Sequence, residues 1–262
     1  MGIRLNLAEK ERQAVKISII TVVYNGEKTI RDTINSVLSQ DYSDLEYIVV
    51  DGKSDDSTVA IIQSFGNQIT KFISEKDQGI YDAMNKGISL ATGDVIGLLN
   101  ADDFYASNSI LSEVAQKFRE SDADAVYGDL DYINVENPMQ ITRSWKAGPY
   151  KHNYFMWGWM PPHPTFFIKK EWYTRFGGFR LDLNTAADYE LMLRMIHKLH
   201  AKPVYIQKVL VKMRAGGASN NSLHNRLLAN QSDAMAWKVN DIKPYFFTIW
   251  LKPIRKILQF FV

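Results

Sequence analysis

Two adjacent carboxylates follow an apolar run in the middle of the chain and are suited to bind a metal ion. Asp102 and Asp103 end the NADD motif of residues 100–103, directly after a strand predicted for Val95 to Leu99. Neighbouring carboxylates repel each other unless a cation compensates their charge. Mg²⁺ and Mn²⁺ prefer carboxylate and phosphate oxygens, so the pair predicts a divalent ion bound with a phosphate group. The alternative is a cap for a helix starting near Ser107.

Polar residues also end the first two predicted strands, where they are placed to contact a nucleotide. The residues are Thr21 in the last part of the first strand, Tyr24 and Asn25 directly after it, and Asp51 and Gly52 after the second strand. A carboxylate at a strand end accepts hydrogen bonds from a base N–H or from ribose hydroxyls, and glycine lets the backbone approach a ligand closely. The competing interpretation is that Asp51 only caps the following helix.

The elements that carry these loops alternate between strand and helix. Apolar, β-branched runs predict strands at Ile17 to Val23, Leu45 to Val50, Val95 to Leu99 and, later, Pro203 to Met213. Between the early strands, apolar residues recur at helical spacing, as in the segment from Ile80 to Ile88. This alternation predicts an α/β fold with a mostly parallel sheet covered by helices on both faces. In such sheets, ligands bind at the carboxyl ends of the strands.

Composition limits the possible function classes. The chain has 262 residues, of which 46% are hydrophobic and 23% charged, as expected for one large domain with appendages. A formal net charge of +2 gives no indication of nucleic-acid binding. The absence of cysteine excludes disulfides and thiolate metal sites. No apolar run resembles a signal peptide or reaches the roughly 18 residues of a membrane span, which predicts a cytoplasmic location.

Several motifs in a fixed order resemble those of family-two glycosyltransferases with the GT-A fold. They are ISIITVVYN, VDGKSDDST, EKDQGIYDAMNKG and NADD, followed later by HPTFF, AADYELMLR and AGGAS. The second and third motifs are most similar to bacterial exopolysaccharide and colanic-acid type members. The resemblance extends over about Lys16 to Ser219. The chain departs from the family pattern at Asn100, where the metal motif usually has Asp, and at Lys53, where a small or acidic residue is commoner.

The resemblance implies a Rossmann-like GT-A domain over residues 16–242, a UDP-, GDP- or dTDP-linked sugar as donor, and Mn²⁺ or Mg²⁺ as cofactor. The residues implied for the nucleotide are Asp51, Asp77, Asp82 and Asp102, and those implied for the metal are Asp102 and Asp103. Asp103 is the ligand expected to be essential. Asp77 and Asp82 start the third predicted helix, so the alternative is that they only stabilise its N-terminus.

Asp188, in the AADYELMLR motif, is the catalytic base that the resemblance implies. It lies at the start of a predicted helix, whose N-terminus favours the ionised carboxylate and so makes it a weak base that depends on position. In the implied inverting mechanism, Asp188 takes the proton of the acceptor hydroxyl as that oxygen attacks the anomeric carbon. Glu190 is the reserve candidate, and an ordinary helix cap is the alternative interpretation.

Four further residues are expected on the acceptor or diphosphate side of the site: His163, Trp157, Trp159 and Arg214. Prolines on both sides of His163 predict a non-helical backbone there. Trp157 and Trp159 either present one aromatic face to a sugar ring or pack in the core. Arg214 precedes Gly216-Gly217, which predicts a loop that lets the arginine close over the diphosphate.

Beyond the domain lie an N-terminal extension, residues 1–15, and an amphipathic tail, residues 243–262. On a helix the tail has a polar, basic side with Thr248, Lys252, Arg255, Lys256 and Gln259, and an apolar side with Phe246, Phe247, Trp250, Leu251, Ile254, Leu258 and Phe261. This pattern is typical of a helix lying on anionic lipid. It predicts peripheral attachment to the inner face of the cell membrane and a lipid-linked glycan acceptor. Pro253 predicts two short helices joined at a kink. The alternatives are packing on the domain's own core and a homodimer contact.

Two other function classes use similar elements. A nucleotidyltransferase needs a Gly-rich, basic phosphate loop after the first strand, and Asn25-Gly26-Glu27 is not one. The G-x-G-x-x-G pattern of dinucleotide oxidoreductases is also absent there. A non-enzymatic sugar-binding or scaffolding member of the same fold stays open because of Asn100 and the aromatic tail.

Overall fold

The computed structural model describes residues 14–215 and 232–259. Most of the N-terminal extension, the Gly216-Gly217 loop, Phe261 and the start of a helix predicted from about Ser222 lie outside these ranges. Within them the chain has the predicted α/β fold, with one sheet covered by helices on both faces. The described part of the chain contains no helix with the length and apolar content needed to cross a membrane.

The described strands form a single mixed sheet. The strands are β1 (Ile17–Val23), β2 (Leu45–Asp51), β3 (Lys71–Ser74), β4 (Val95–Leu98), β5 (Asp103–Tyr105), β6 (Ala125–Ile133), β7 (Ile141–Trp145), β8 (Phe167–Lys169) and β9 (Pro203–Arg214). Their order is β3-β2-β1-β4-β8-β6-β9-β5, with β7 paired to β6. The neighbours from β3 to β4 are parallel, and β8 is antiparallel to both β4 and β6. The strands predicted from the sequence are confirmed to within one residue at either end.

The helices pack on the two faces of this sheet. They are α1 (Ile30–Leu38), α2 (Thr58–Gln63), α3 (Ile80–Leu90), α4 (Ile110–Glu120), α5 (Lys170–Phe176), α6 (Ala187–Met192) and α7 (Thr248–Leu258). α6 continues into a π-helical turn at Leu193–Lys198, and residues 232–239 are also helical. Apolar side chains on one side of α1, α3 and α4 are buried, but Ile80, at the start of α3, is exposed.

The central strand β1 shows why the sequence forms this layered core. Ile20 and Val22 belong to one buried apolar cluster, together with Met84 of α3. Ile17 and Ile19 belong to a second cluster, to which α1 and α4 also contribute. Successive side chains of a strand point to opposite faces, so a strand covered on both faces needs a continuous apolar run.

The parallel register brings the polar loops together. β1 pairs with β2 from Ile17 opposite Leu45 to Val23 opposite Asp51, and with β4 as far as Ile20 opposite Leu98. The carboxyl ends of β1, β2 and β4 therefore lie side by side. The loops that follow these strands meet at that edge, where open α/β sheets bind their ligands.

The C-terminal helix α7 packs on the domain through polar groups. The Thr248 hydroxyl donates to the carbonyl oxygen of Met156 at 2.7 Å. Lys252 Nζ donates to both carboxylate oxygens of Asp233 at 2.7 and 2.8 Å. Gly158 lies directly under the helix, since a Cβ there would be 2.5 Å from the backbone nitrogen of Lys252. These contacts fix both the position and the rotation of α7.

Two predictions for the tail are wrong. The polar side was expected to face water and lipid headgroups, but Thr248 and Lys252 face the protein, because a carbonyl oxygen and a carboxylate there satisfy them. The exposed side chains include the apolar Phe246, Trp250 and Ile254. The prediction of two short helices is also wrong, since α7 is one helix that contains Pro253. Contacts with the domain maintain it, as tertiary packing supplies most of the stability of protein helices.

A buried carboxylate, Glu46, connects the amino-terminal ends of the parallel strands. It accepts hydrogen bonds from Ser18 Oγ at 2.6 Å, Lys71 Nζ at 2.9 Å and the Thr92 backbone N–H at 2.7 Å. Burial raises the pKa of Glu46, but these donors outweigh burial and lower the pKa to about 2. An ionised and fully hydrogen-bonded carboxylate therefore holds β1, β2, β3 and the entry to β4 together.

We expect Glu46→Gln to reduce the free energy of unfolding by about 2–4 kcal/mol at pH 7, because the amide leaves donors and the Lys71 charge without a full partner. A carboxyl whose pKa is lowered by folding stabilises the fold only while it is ionised. Wild type therefore loses this contribution as the pH falls from about 5 towards about 2, and the gap between the two proteins should narrow.

Urea denaturation at several pH values between 7 and 3 measures this gap. Glu75→Gln is the matched control, because Glu75 pairs with Lys86 at an exposed position. It should cost less than about 1 kcal/mol. Equal losses in the two variants, or a gap that does not change with pH, would contradict the assigned role of Glu46.

Candidate active site

A cleft of about 790 Å³ opens at the carboxyl ends of β1 and β4. Its volume is within the range of about 300–1,000 Å³ typical of small-molecule sites. The sequence-predicted site residues that line it are Tyr24, Asn25, Asp77, Asp82, Asp102, His163 and Asp188. Residues far apart in the sequence are therefore brought to one cavity by the sheet, by α3 and by α6.

A second pocket of about 410 Å³ shares a wall with this cleft. It is lined by Tyr24, Gly52, Lys53, Lys76 and Asp77, so Tyr24 and Asp77 contribute to both cavities. A Cβ on Gly52 would lie 2.5 Å from Asp77 Oδ2, so a side chain there would displace the Asp77 carboxylate. The predicted need for glycine at this position is therefore steric. A side chain would clash with the neighbouring Asp77 carboxylate, in addition to the predicted effect on the approach of a ligand.

Asp51 and Thr21 do not reach either pocket. Both side chains are fully buried. Asp51 accepts hydrogen bonds from the backbone N–H groups of Lys53 and Ser54 and from the Ser74 hydroxyl. Thr21 Oγ1 accepts a hydrogen bond from the Tyr47 hydroxyl. The prediction that these two residues contact the nucleotide is wrong for this geometry, because their polar atoms are already paired inside the protein.

Asn25 connects the loops after β1 and β2. It has a positive φ of 52°, its side-chain oxygen accepts a hydrogen bond from the Asp55 N–H, and its own N–H donates to Ser54 Oγ. Asparagine tolerates this left-handed conformation better than most residues. Asn25 therefore sets the shape of the cleft wall as well as lining it.

The two carboxylates at the start of α3 each contact nearby backbone and remain at the cleft. Asp77 accepts a hydrogen bond from the Gly79 N–H at 2.9 Å. Asp82 accepts one from the Gln78 N–H at 3.0 Å and lies 3.6 Å from Lys86 Nζ. Both predicted roles are therefore compatible, since these carboxylates stabilise the turn and also face the cavity.

Of the two adjacent carboxylates in the NADD motif, Asp102 lines the cleft and Asp103 does not. Asp103 is fully buried at the start of β5, where Oδ2 accepts a 3.4 Å hydrogen bond from Asn100 and Oδ1 has no partner. Burial, and then the charge of Asp102, raise the pKa of Asp103 well above its ordinary value. The geometry therefore favours Asp102 over Asp103 as a metal ligand. The helix-cap alternative is wrong, because a strand begins here.

The oxygen atoms of this motif fit a divalent ion that is bound partly by the protein and partly by a bound ligand. The described residues contain no cluster of three or more His, Asp or Glu side chains able to hold a metal by themselves. Mg²⁺ is commonly bound by one or two carboxylates, with substrate phosphates and water completing its shell. Asp102, with Asn100 beside it on the cleft wall, matches that arrangement.

Arg214 lies next to this motif in a fixed position. It ends β9, and its guanidinium donates to the Asp102 carbonyl oxygen at 2.8 Å and to Asp32 Oδ2 at 2.6 Å. The same group lies 5.2 Å from the centre of the Phe104 ring. In this structure Arg214 anchors the backbone of the motif, and its closure over the diphosphate stays a prediction.

Asp188 lies in the first turn of α6 and faces the cleft beside His163. Its Oδ2 is 3.1 Å from His163 Nδ1, and its Oδ1 accepts a 3.4 Å hydrogen bond from the Tyr81 hydroxyl. Burial raises the pKa of Asp188, but the hydrogen bond and charge of His163 and the charge of Lys252 lower it to about 2. The carboxylate is therefore ionised over the whole neutral pH range. The reserve candidate Glu190 is buried and paired with Arg194.

His163 lies on a one-turn 3₁₀ helix, His163–Thr165, and not on the non-helical backbone predicted from its prolines. Proline is accepted there because the first turn of a helix does not use its N–H groups. The turn is anchored to the sheet, since the Thr165 hydroxyl contacts the Gly128 carbonyl oxygen at 3.0 Å.

The two tryptophans do not share a face. Trp159 is only 3% exposed, and its indole N–H donates to the Ala147 carbonyl oxygen at 2.8 Å. Trp157 is half-exposed and its ring contacts Tyr245 and Phe247 at the base of α7. Neither residue lines the cleft. Of the two alternatives, core packing describes Trp159, and Trp157 packs on the tail.

Sequence reasoning missed two residues beside Asp188. Tyr81 lies inside the EKDQGIYDAMNKG motif, and its position next to Asp82 could have identified it as a site residue. Lys252 is a tail residue whose Nζ lies 3.8 Å from the centre of the Tyr189 ring. No local pattern in the sequence connects Lys252 to α6, because that contact exists only in the folded chain.

Comparison with known proteins agrees with this architecture. Residues 18–179 match the model of the family described as Glycosyl transferase family 2. An uncharacterized glycosyltransferase of Mycobacterium tuberculosis is 30% identical over 79% of this chain and 78% of its own length. A PGL/p-HBAD biosynthesis glycosyltransferase of Mycobacterium bovis is 27% identical over 80% of this chain and 81% of its own length.

Two solved structures share the fold. S. aureus TarS 1–349 in complex with UDP has a TM-score of 0.64 and 19% identity, and the match covers 87% of this chain and 67% of that chain. The mannosyltransferase PcManGT from Pyrobaculum calidifontis, in complex with GDP-Man and Mn²⁺, has a TM-score of 0.66 and 16% identity, covering 96% and 79%. These matches agree with the predicted GT-A fold. Since the family model also covers more than half of the chain, this protein belongs to glycosyl transferase family 2.

Proposed function

We propose that this glycosyltransferase is an inverting enzyme that moves a sugar from a nucleoside diphosphate to a hydroxyl group of a glycan acceptor. The observation that carries the proposal is that one cleft combines Asp102, suited to a metal-bound diphosphate, with the Asp188–His163 pair, suited to deprotonate an acceptor. Direct attack on the face opposite a leaving group inverts the anomeric centre, and it requires these two functions in one cavity.

The donor occupies the end of the cleft formed by β1, β2 and the start of α3. The nucleoside lies in the adjoining pocket around Tyr24, Gly52 and Asp77, where carboxylate and backbone groups accept and donate hydrogen bonds. Two structures with the same fold contain nucleotides of the expected class, UDP in TarS and GDP-Man in PcManGT. These ligands support a nucleotide-sugar donor and do not distinguish between the two bases.

Asp102 holds Mn²⁺ or Mg²⁺ against the donor diphosphate. The ion stabilises the negative charge that develops on the departing nucleoside diphosphate. PcManGT contains Mn²⁺ together with GDP-Man. Arg214 supports this role from behind, because its hydrogen bond to the Asp102 carbonyl oxygen fixes the backbone that carries the ligand.

Asp188 marks the acceptor end of the cleft. Its ionised carboxylate drives removal of the acceptor's hydroxyl proton, a contribution typically worth 10²–10⁴ in rate. The acceptor is a glycan, which we propose to be lipid-linked, in the synthesis of a bacterial surface polysaccharide of the exopolysaccharide or colanic-acid type. A relative at 27% identity is named as a PGL/p-HBAD biosynthesis glycosyltransferase.

Release of nucleoside diphosphate tests the proposed function directly. The full chain is incubated with UDP-, GDP- and dTDP-sugars, Mn²⁺ or Mg²⁺, and a panel of octyl glycosides as acceptors. We expect one donor to give a metal-dependent product of inverted anomeric configuration, detected by mass spectrometry and NMR. No release with any donor, or a product with retained configuration, would overturn the proposal.

The metal assignment predicts different effects for two neighbouring substitutions. Asp102→Asn should abolish the Mn²⁺ dependence of nucleotide binding, because an amide cannot balance the charge of the ion. Asp103→Asn should keep that dependence, since the Asp103 carboxyl is buried away from the cleft. Calorimetric titration of UDP and GDP with and without Mn²⁺ measures both. Loss in Asp103→Asn together with retention in Asp102→Asn would restore Asp103 as the ligand.

We further propose that α7 lies on a membrane surface and holds the protein on the inner face of the cell membrane. Phe246 is 92% exposed and Trp250 is 65% exposed, while Thr248 and Lys252 of the same segment face the domain. A helix that buries polar groups and exposes large apolar ones needs a further apolar environment. The exposed Lys243 and Arg255 make the surface basic, and residues 243–259 contain no acid, which favours anionic lipid.

Vesicle co-sedimentation tests this attachment. The Phe246→Ser/Trp250→Ser double variant should lose binding to phosphatidylglycerol vesicles, because both side chains are on the exposed side of the tail. Met139→Ser is the matched control, since Met139 is also an exposed apolar residue but lies between β6 and β7. Wild type should bind phosphatidylcholine vesicles less well. Equal sedimentation of the double variant and wild type would refute membrane attachment through α7.

A further inference from the structure

A buried ammonium group joins the C-terminal helix to the segment that carries Asp188. Lys252 Nζ of α7 donates to both carboxylate oxygens of Asp233, at 2.7 and 2.8 Å. The same Nζ lies 3.8 Å from the centre of the Tyr189 ring. The side chains of Lys252 and Asp233 are only 14% and 9% exposed. Three segments therefore meet at this one ammonium: α7, the helix at residues 232–239, and α6.

The residues that follow Asp188 in α6 are held by the same C-terminal segments. Tyr189 is 2% exposed, and its hydroxyl accepts a 3.1 Å hydrogen bond from the indole N–H of Trp237. Glu190 Oε1 accepts a 3.0 Å hydrogen bond from the Asn240 side chain. Trp237 therefore fixes one end of the ring whose face the ammonium covers. The orientation of the first turn of α6, and with it of Asp188, depends on these contacts.

Contacts at the backbone of α7 fix the place of this ammonium. One turn before Lys252, the Thr248 hydroxyl donates to the Met156 carbonyl oxygen at 2.7 Å. A Cβ at Gly158 would lie 2.5 Å from the Lys252 backbone nitrogen, so the helix approaches the domain closely at this turn. A lysine stem is flexible in solution, but here both its backbone and its Nζ are held. Lys252 therefore presents a positive charge at a defined place.

The Asp188 carboxylate faces titratable groups from four other elements. Tyr81 of α3 and His163 contact its two oxygens, and its charge also acts on Tyr132 of β6, whose pKa burial raises. Burial raises the pKa of Asp188, and the contacts of His163 and the charge of Lys252 lower it to about 2. An imidazole donates through Nδ1–H in either charge state, whereas a lysine ammonium stays positive throughout the neutral pH range.

A second carboxylate makes a cation necessary in this region. Burial and then the charge of Asp233 raise the pKa of Tyr189, and Asp233 also acts on Tyr81, after burial and the charge of Asp188. Nearby like charges disfavour each other's ionisation, and so does the loss of water when a ligand covers a carboxylate. Without the ammonium, the negative charge of Asp233 would act on Asp188 unopposed.

We infer that Lys252 is a positioning residue for glycosyl transfer, which holds Tyr189 and thereby Asp188 in place and keeps Asp188 ionised while an acceptor covers the cleft. The inference rests on the proposed function, in which Asp188 takes the proton of the acceptor hydroxyl. The acceptor O–H bond breaks as its oxygen binds the anomeric carbon, and the nucleoside diphosphate leaves with the electron pair of its own bond to that carbon. Lys252 keeps its protons throughout and acts only through Tyr189 and Asp188.

Kinetics of Lys252→Met test this role, measured with the donor and octyl glycoside that give most product and without vesicles, so that membrane attachment does not enter. We expect kcat to fall by about 10–10² and the donor KM to change little, because the donor end of the cleft is formed by other elements. Lys252→Arg keeps a cation over the Tyr189 ring and should stay within about threefold of wild type. Lys238→Met is the matched control at an exposed lysine of the neighbouring helix and should keep full activity.

The double variant Lys252→Met/Asp233→Asn separates positioning from simple charge compensation. It removes both charges of the pair, so it should unfold at nearly the wild-type urea concentration. The inference predicts that its kcat stays as low as that of Lys252→Met. In both variants kcat/KM should fall more steeply than in wild type between pH 7 and 5, because loss of the cation raises the pKa of Asp188. Recovery of full kcat in the double variant, or a Lys252→Met kcat within about threefold of wild type, would overturn the inference.

Carboxyl NMR tests the inference without activity. In full-length protein labelled with ¹³C at the aspartate carboxyl groups, the Asp188 signal is assigned by its absence in Asp188→Asn. We expect this signal to titrate at a higher pH in Lys252→Met, or in the double variant if Lys252→Met is unstable, than in wild type. Titration at the same pH in variant and wild type would overturn the inference and leave the proposed function intact. Failure of wild type to transfer sugar from any donor would overturn the proposed function, and the inference with it.

Discussion

Asp188 is an ionised carboxylate in the partly buried wall of the cleft, and such a charge needs partners. The groups that stabilise it come from separate segments of the chain. Its hydrogen-bond partners come from α3 through Tyr81 and from the turn before β8 through His163, and the charge of Lys252 in α7, which is itself paired with Asp233, also lowers its pKa. Removing one partner from a buried charge typically costs several kcal/mol, so each segment is held in relation to the others. The end of the cleft that we propose for the acceptor is therefore defined by electrostatics more than by apolar packing.

The donor end depends on a different constraint, the parallel register of β1, β2 and β4. Because these strands end side by side, the loops after them share hydrogen bonds, such as those of Asn25 with Ser54 and Asp55. At the opposite, amino-terminal ends of these strands, the ionised Glu46 accepts hydrogen bonds that hold the strands together. The stabilising contacts therefore lie at the amino-terminal ends of the strands and the cleft at their carboxyl ends. The loops at the carboxyl ends can for this reason hold exposed polar groups.

The strands and the cleft were predictable from the sequence, whereas the orientation of individual polar residues was not. An apolar run such as Ile17 to Val23 indicates a strand buried on both faces whatever surrounds it. A polar residue at or after a strand end has the same local pattern whether it faces the cleft, as Asp77 does, or its own loop, as Asp51 does. The expectation that Asp103 is the essential metal ligand had the same limit, because the sequence does not show that the turn leaves Asp102 at the cleft while Asp103 begins a buried strand.

The tail shows why amphipathicity alone did not predict packing. A helical pattern identifies two sides, but Asp233 and the Met156 carbonyl oxygen decide which side faces the domain, and neither is near the tail in sequence. Lys252 points inward and lies over the ring of Tyr189, the residue after Asp188, while Trp250 points outward. A helix with its side chains is about 10–12 Å across. If the exposed side of α7 rests on lipid, the segment that carries Asp188 therefore lies about one helix diameter above the membrane, within reach of the first sugars of a lipid-linked glycan.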